Sequence, residues 1–417
     1  MSALPEPPAP QPHPGMGLVE FVALIAALQA VGALGVDAML PNLPAIGHAL
    51  GVAQENRRQL IITVYMLGFG SAQIVYGPLA DRFGRRPVLL GGLLLFAAFS
   101  LNAALASTFP ALLFARLLQG IAAAAVRVVP VSIVRDCYAG RAMARVMSLA
   151  SLVFMGVPAI APTLGQAVLR LGPWPLIFAV LAAIALCAFV WALIRLPETL
   201  HPQDRLPIRA GRIAAAFRAA ATNRTSVAYV AGQTLMFGAL MGYIVSSQQL
   251  VAETFHAPSL FTAVFALMAG LLAVAALLNS RLVVQIGMRR LSHSGLLAFI
   301  ALSAIHLALA LGGGETLLVF AVFQAGAMLA FGFTSGNFSA MAMEPMGHIA
   351  GVAASLQGTV ATMGAALIAY VIGQQFNGSA APVEAGYLIC SLLALAATLV
   401  AERGRLFRGH HDAPALA

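Results

Sequence analysis

"YGPLADRFGRRPVLLGG", residues 76–92, sets Asp81, Arg82, Arg85 and Arg86 within six positions of a chain in which only 9% of residues are charged. Long apolar runs flank it on both sides. A short segment with three arginines does not cross a bilayer, so the stretch reads as a loop that pins two membrane-spanning helices together as a hairpin.

Working outward from that loop, the chain of 417 residues is 60% hydrophobic with a mean hydropathy of +0.91, and its charge content is far below the roughly 25% of a soluble domain. Apolar runs of about 18 residues or more fall near 18–40, 59–80, 88–106, 110–131, 147–169, 175–195, 226–249, 260–280, 293–311, 316–338, 351–374 and 384–402. They predict an all-α polytopic membrane protein with about twelve transmembrane helices. Lipid offers no partner to an open backbone group, and a β-barrel would show alternating segments of about ten residues instead. The first run is not a cleavable leader, since no positive region precedes it and eleven more runs follow.

The formal charge is +9, and all 23 basic residues are arginines. With the N-terminus inside, only Arg57, Arg58 and Arg170 face out, Arg116 and Arg127 lie within spans, and every other arginine faces in. That bias predicts an even number of spans with both termini cytoplasmic. The basic balance then reports topology and contact with the inner leaflet of the lipid bilayer, not a nucleic-acid partner. Cys137, Cys187 and Cys390 are far apart and read as buried small hydrophobes. There is no phosphate-binding loop, metal-ligand spacing or nucleophile elbow, so no enzyme, cofactor or metal site is expected.

Residues 196–225 form the longest polar stretch, with prolines first and then Arg209, Arg212 and Arg218 spaced as on an amphipathic surface helix. Six runs lie on each side. The expected organisation is a disordered cytoplasmic tail (1–16, Pro-rich), an N-terminal six-helix bundle (17–195), a cytoplasmic linker (196–225), a C-terminal six-helix bundle (226–402) and a cytoplasmic tail (403–417). "NSRLVVQIGMRRL" at 279–291 occupies the place in the second half that the opening stretch has in the first: Gly287 and Arg289 match Gly84 and Arg86, but no acid matches Asp81. Paired halves carrying a worn repeat are a transporter architecture.

Charges inside spans cost several kcal/mol unless paired or hydrated. Asp37 lies near the outer end of the first span, where Pro41 and Pro44 mark a break, and Arg116 lies at similar depth in the fourth. Arg127 follows Arg116 by eleven residues, about three helical turns, so the two form a stripe expected to face water. Asp37 reads either as a proton-carrying carboxylate or as a static helix-end cap. Arg127 reads as a cavity charge favouring anionic or zwitterionic ligands, as a partner of Glu20, or as a snorkelling structural arginine. Glu20 is a cavity charge in that pairing and otherwise interfacial. His306 reads as a packed neutral histidine. An apolar cavity with a few polar handles would draw on Met39, Tyr65, Gln119, Phe154, Phe237, Tyr243, Gln248 and Asn337. Gly238 and Gly242, and Gly332 and Gly336, read as small-residue packing faces.

Several segments carry a resemblance. "GPLADRFGRRPVLL" resembles the loop signature of the major facilitator superfamily. "VDAMLPNLPAI" at 36–46, "RLLQG" at 116–120, "IVRDCYAG" at 133–140, "PAIAPTLG" at 158–165, "LPETL" at 196–200 and "MEPMGHIAGVAASLQG" at 343–358 are similar to the Bcr/CflA branch of drug/proton antiporters. The resemblance implies a monomeric exporter of small amphipathic drugs of amphenicol, sulfonamide or bicyclomycin type, exchanged for protons by alternating access in a bacterial inner (plasma) membrane. A proton-coupled or facilitative importer of a small metabolite shares the fold and remains the alternative.

The resemblance also implies roles for residues. Spans one and four line the cavity, Asp37 and Arg116 are the proton-coupling pair, and Arg116 is either a switchable counter-charge or a structural arginine bonded to carbonyls. Gly77, Asp81, Arg82, Gly84, Arg85, Arg86, Arg135 and Asp136 form a cytoplasmic latch in which Asp81 meets Arg135 and the start of span eleven near Ala350, holding the outward-facing state. The plain alternative for this loop is charge for topology only. Pro158, Ala161, Pro162 and Gly165 match the antiporter motif of span five, with Ala161 in place of its first glycine and Gln166 in place of its last.

Overall fold

The computed structural model describes residues 15–205, 211 and 218–407. Among them are twelve helical segments long and apolar enough to cross a membrane, and no strand. Spans 1–6 are Leu18–Ala49, Glu55–Phe83, Arg85–Ala104, Phe109–Cys137, Gly140–Leu171 and Pro175–Arg195; spans 7–12 are Arg224–Thr254, Pro258–Ile286, Met288–Leu311, Leu317–Gly347, Gly351–Gln374 and Ala381–Ala401.

Spans 1–6 pack among themselves, chiefly span 4 against 2 and 3, and span 3 against 6; spans 7–12 do likewise, with span 7 against 11 and 12 and span 9 against 10 and 12. The seam between the two sets is made mostly by span 2 on span 11 and span 5 on span 8. Gly238 and Gly242 make the contact of span 7 with span 11 possible, since a Cβ on either would fall within 3 Å of Ile368 or Ile372. Gly332 similarly admits Ala275 of span 8, whereas Gly336, expected to do the same, faces open space.

The helices break where local chemistry requires it. Span 1 ends its first helix at Asp37, makes a 3-10 turn over Leu40–Asn42 that starts around Pro41, and resumes at Leu43. Span 5 is two helices, Gly140–Met155 and Val157–Leu171, broken at Gly156 ahead of Pro158. Spans 2 and 3 meet at Gly84 and spans 8 and 9 at Gly287, both at positive φ with nearly the same backbone angles (104°, 156° and 89°, 150°). That shared left-handed corner, open to glycine at no steric cost, is the repeat seen in the sequence.

Of the linker expected at 196–225, Pro202–Asp204 is a 3-10 turn, and the Arg209 and Arg212 of the expected surface helix lie outside the described residues. So do residues 1–14 and 408–417 of the two tails. The cysteines are free; Cys137 and Cys390 are buried, but Cys187, expected buried, is exposed.

Candidate functional site

A cavity of about 490 Å³ lies between the two halves, lined by residues of spans 1, 2, 4 and 5 on one side and of spans 7, 8, 10 and 11 on the other. Its size suits a small organic molecule. Tyr65, Phe154, Phe237 and Tyr243 line it as expected. Met39, Gln119, Gln248 and Asn337 do not. Met39 is sealed in the turn after Asp37, Gln119 donates to Ser100 Oγ at 2.6 Å, Asn337 donates to Asn279 Oδ1 at 2.8 Å, and Gln248 is buried near the end of span 7. The polar wall instead includes Gln29, Gln73, Gln233 and Thr362. Hydropathy passes over these because a single amide in an apolar run barely changes the mean.

Asp37 is the last residue of its helix and 6% exposed, it lines the cavity, and among the described residues its carboxylate makes no hydrogen bond or ion pair. The static-cap alternative therefore has no N–H to accept from. Its backbone is held from outside the cavity. Asn42 Nδ2 donates to Ala38 O (3.1 Å) and Gly165 O (3.2 Å), and a Cβ at Gly165 would fall 2.1 Å from Ala38 O. Of the span 5 motif, Ala161, Pro162 and Gly165 are buried and Pro158 reaches the cavity wall. The motif thus lets span 5 approach closely at the turn that presents Asp37.

Arg116 departs from its expected position. It is fully buried away from the cavity. Nε donates to Ile61 O (3.1 Å), Nη2 to Gly35 O (2.7 Å) and Nη1 to Gln119 Oε1 (2.5 Å), and the guanidinium lies 4.3 Å from the Tyr65 ring centroid. No ion pair joins it to Asp37 in this state. The carbonyl-bonded reading of Arg116 is the one observed, with two helices and an aromatic face satisfying the charge. Arg127 alone of the expected stripe faces the cavity, where it is exposed and donates to Gln29 Oε1 (3.1 Å). Glu20 is neither its partner nor a cavity charge. It accepts from Arg195 at 2.6 and 2.7 Å beside the linker, because span 6 ends next to the start of span 1.

At the arginine-rich end the expected latch residues form a ladder within one half. Arg85 donates to Asp81 (2.5 Å) and to Asp136 (2.9 Å), Arg86 donates to Leu193 O (2.7 Å), and Arg82 stacks over Phe83. Asp81 does not meet Arg135. The Arg135 guanidinium lies instead near Gly351 at the start of span 11, 3.9 Å from where a Cβ there would stand, and Gly77 faces Ser355 of the same span. The sequence reading assigned no role to Glu198 of "LPETL". It accepts the backbone N–H groups of Arg85 (2.9 Å) and Arg86 (3.3 Å), capping span 3, and its carboxylate fills the space a side chain at Gly84 would need. A carboxylate three residues past the end of span 6 is the signal that could have found it.

The opposite end is closed. Arg58 pairs with Glu253 across the seam, Gln59 donates to Gln249 (2.6 Å), and Asn56 donates to Gln374 O (3.3 Å) and Phe376 O (2.8 Å). Midway, Gln73 donates to Thr362 (3.1 Å). Among the described residues no hydrogen bond or ion pair joins the halves at the arginine-rich end. His306, expected as a packed neutral histidine, instead sits between Glu315 (2.7 Å) and Glu384 (3.1 Å).

Known proteins share this arrangement. The sequence profile described as Major Facilitator Superfamily matches residues 25–369. The chain is 30% identical to the multidrug resistance protein MdtL of Shewanella oneidensis, over 81% of this chain and 85% of that one. It is 26% identical to a bicyclomycin resistance protein homolog of Haemophilus influenzae, over 87% and 91%. The fold superposes with a TM-score of 0.72 on the xylose transporter XylE from E. coli in a partially occluded inward open conformation, at 11% identity over 93% and 97%. A profile match over most of the chain and relatives of the Bcr/CflA kind carry the assignment: this multi-pass membrane protein belongs to the Major Facilitator Superfamily of transporters.

Proposed function

We propose that the chain exports small amphipathic antibacterial compounds of amphenicol, sulfonamide or bicyclomycin type in exchange for protons, by rocking of its two halves around the central cavity. The observation that carries this reading is Asp37, a nearly buried carboxylate that makes no hydrogen bond or ion pair among the described residues and faces a largely apolar cavity with a few polar handles. Such a group is open to a proton or to a ligand's donor, and that competition is what couples the two fluxes. The printed names of the relatives, resistance to bicyclomycin and to multiple drugs, support the substrate class. The arginine bias supports placing the arginine-rich end and both termini in the cytoplasm of a bacterial cell, with the chain as a monomer in the inner membrane. On that placement the structure is shut toward the outside, and among the described residues Asp81 makes no hydrogen bond or ion pair with span 11.

Arg127 adds a fixed positive charge to the inner part of the cavity and disfavours cationic ligands. Proton entry supplies about 1.4 kcal/mol per pH unit and roughly 2.3 kcal/mol per 100 mV, enough for large drug gradients.

A susceptibility panel in a pump-deficient host tests the reading. The native chain should raise tolerance to neutral and zwitterionic compounds more than to cationic dyes, and an Asp37→Asn copy inserted at the same level should give none. Equal protection by both would remove Asp37 from the coupling. No protection by either, together with inward flux in proteoliposomes under a pH gradient, would favour the importer.

A further inference from the structure

The second half carries a set of buried ionisable side chains that the Asp37 cavity does not use. His306 of span 9 places Nε2 2.7 Å from Glu315, in the loop that follows, and Nδ1 3.1 Å from Glu384 in the first turn of span 12. The three side chains are 2%, 8% and 2% exposed. Phe323 of span 10 stacks on the imidazole with centroids 5.0 Å apart, and Phe320 lies tilted against it at 5.7 Å. One turn after Glu384, Tyr387 accepts a hydrogen bond from Gln324 (2.8 Å), and Tyr243 of span 7 lies against the same Phe320 ring.

No cation from these elements balances the set. Arg289 and Arg290 lie at the far end of span 9 and Arg224 at the far end of span 7, and spans 10 and 12 contain no arginine. Glu253, at the near end of span 7, is engaged by Arg58 of the other half. With both acids ionised, a protonated imidazole leaves one net negative charge in a nearly dry pocket. Polar groups around it also lack partners: Glu384 Oε1, Ser303 Oγ one turn before His306, and Gln324 Oε1 are all buried without a hydrogen bond. A second proton shared among the three groups makes the set neutral and turns the orphaned carboxylate into a donor for such acceptors.

We propose that Glu315, His306 and Glu384 form a second proton-binding site, separate from Asp37 and reached from the outer solution through the Gly312–Glu315 loop. Gly312, Gly313 and Gly314 are exposed and lead directly to Glu315, so the site exchanges protons with the outside while the central cavity is shut. The proton is held by the set as a whole, and its titration belongs to all three groups together. The outer placement rests on the topology proposed above; the proton binding does not.

Proton uptake on acidification, measured without drug on the full chain in lipid nanodiscs, tests the site in an Asp37→Asn background that removes the cavity carboxylate. Adding Glu384→Gln should reduce the uptake by about one proton per protein, because the coupled set loses one site. Infrared difference spectra should lose a protonated-carboxyl band in the same variant. Glu315→Gln, placed in the loop where folding is least at risk, should reduce the uptake by the same amount, since the set again loses one of its three sites. Uptake and spectra unchanged by both substitutions in folded protein would overturn the proposal. In proteoliposomes of sorted orientation, uptake that follows the pH on the arginine-rich side would overturn the outer entry alone. Because no substrate is present, a failed export assay leaves these readouts intact.

Discussion

The arginine-rich ends of the two halves are built to one plan and finished differently. In each, a left-handed glycine (Gly84, Gly287) precedes an arginine that reaches an acid at the end of the next helix (Asp136 for Arg85, Glu344 for Arg289). A further acid stands just past the last span of each half: Glu198 caps the helix of Arg85, and Glu402 accepts from Arg289 (2.8 Å) and from Tyr229 (2.6 Å). In the second half Arg289 holds two acids at once, Glu344 and Glu402. In the first half Asp81 remains 42% exposed in its pairing with Arg85, and Arg135 stands beside span 11 without a hydrogen bond or ion pair among the described residues. At the matching place the second half has Val284, 85% exposed, and Met288 where Arg85 would be. On the proposed rocking of the halves, this exposed charge beside span 11 makes the first half the one that gains partners, and the buried Arg289–Glu402 pair makes the second the one that stays fixed.

The largest expected effect tests the fixed half. Arg289→Ala would leave Glu402, with a side chain only 2% exposed, buried without its cation, and should lower stability by about 3 kcal/mol or more. Arg85→Ala, whose acids are 18% and 42% exposed, should lower it by about 1–2 kcal/mol. Thermal unfolding in one lipid mixture gives both values, and the reverse order would break the comparison. Next in size, Asp81→Asn should keep stability and drug affinity but lower turnover about tenfold, as expected for a coupling energy of 1–3 kcal/mol. Spin-label distances between the halves should then show fewer outward-open molecules, and an unaltered distribution would contradict the assignment. The smallest effect sharpens the contrast. Val284→Asp, which restores the acid to the second half, should change stability by less than about 0.5 kcal/mol and leave turnover as it was, since Met288 offers nothing to pair with.

The twelve spans were legible because lipid imposes length and apolarity on each helix separately, and the side bias of arginine needs no knowledge of packing. Helix ends were less so: Arg85 and Arg86 begin span 3, although a hydropathy window starts that span at 88. Asp37 could be placed because Pro41 and Pro44 announce the break after it. Arg116 could not, since its spacing from Arg127 gives the face of one helix and says nothing of what covers that face. Gly120 brings span 4 so near span 2 that a Cβ would meet Tyr65 O at 2.1 Å, which seals Arg116 beneath its neighbours. Glu384 stands 78 positions after His306 with no local pattern linking them, so their meeting depends wholly on how spans 9 and 12 pack.

The closure between the halves opposite the arginines is made largely of side-chain amides: Asn56, Gln59, Gln249 and Gln374, with Arg58 and Glu253 as its one ion pair among the described residues. An amide gives up a neighbouring amide for water at a net loss of only about 0.5–1.5 kcal/mol per bond, because the bond is exchanged and not abolished. Such a fastening loosens link by link, each link solvated as it parts, so the barrier to separation stays far below that of tearing apart an apolar face of equal area. Most of its links carry no charge, so screening by salt acts chiefly on the Arg58–Glu253 pair and leaves the rest of the fastening as it is.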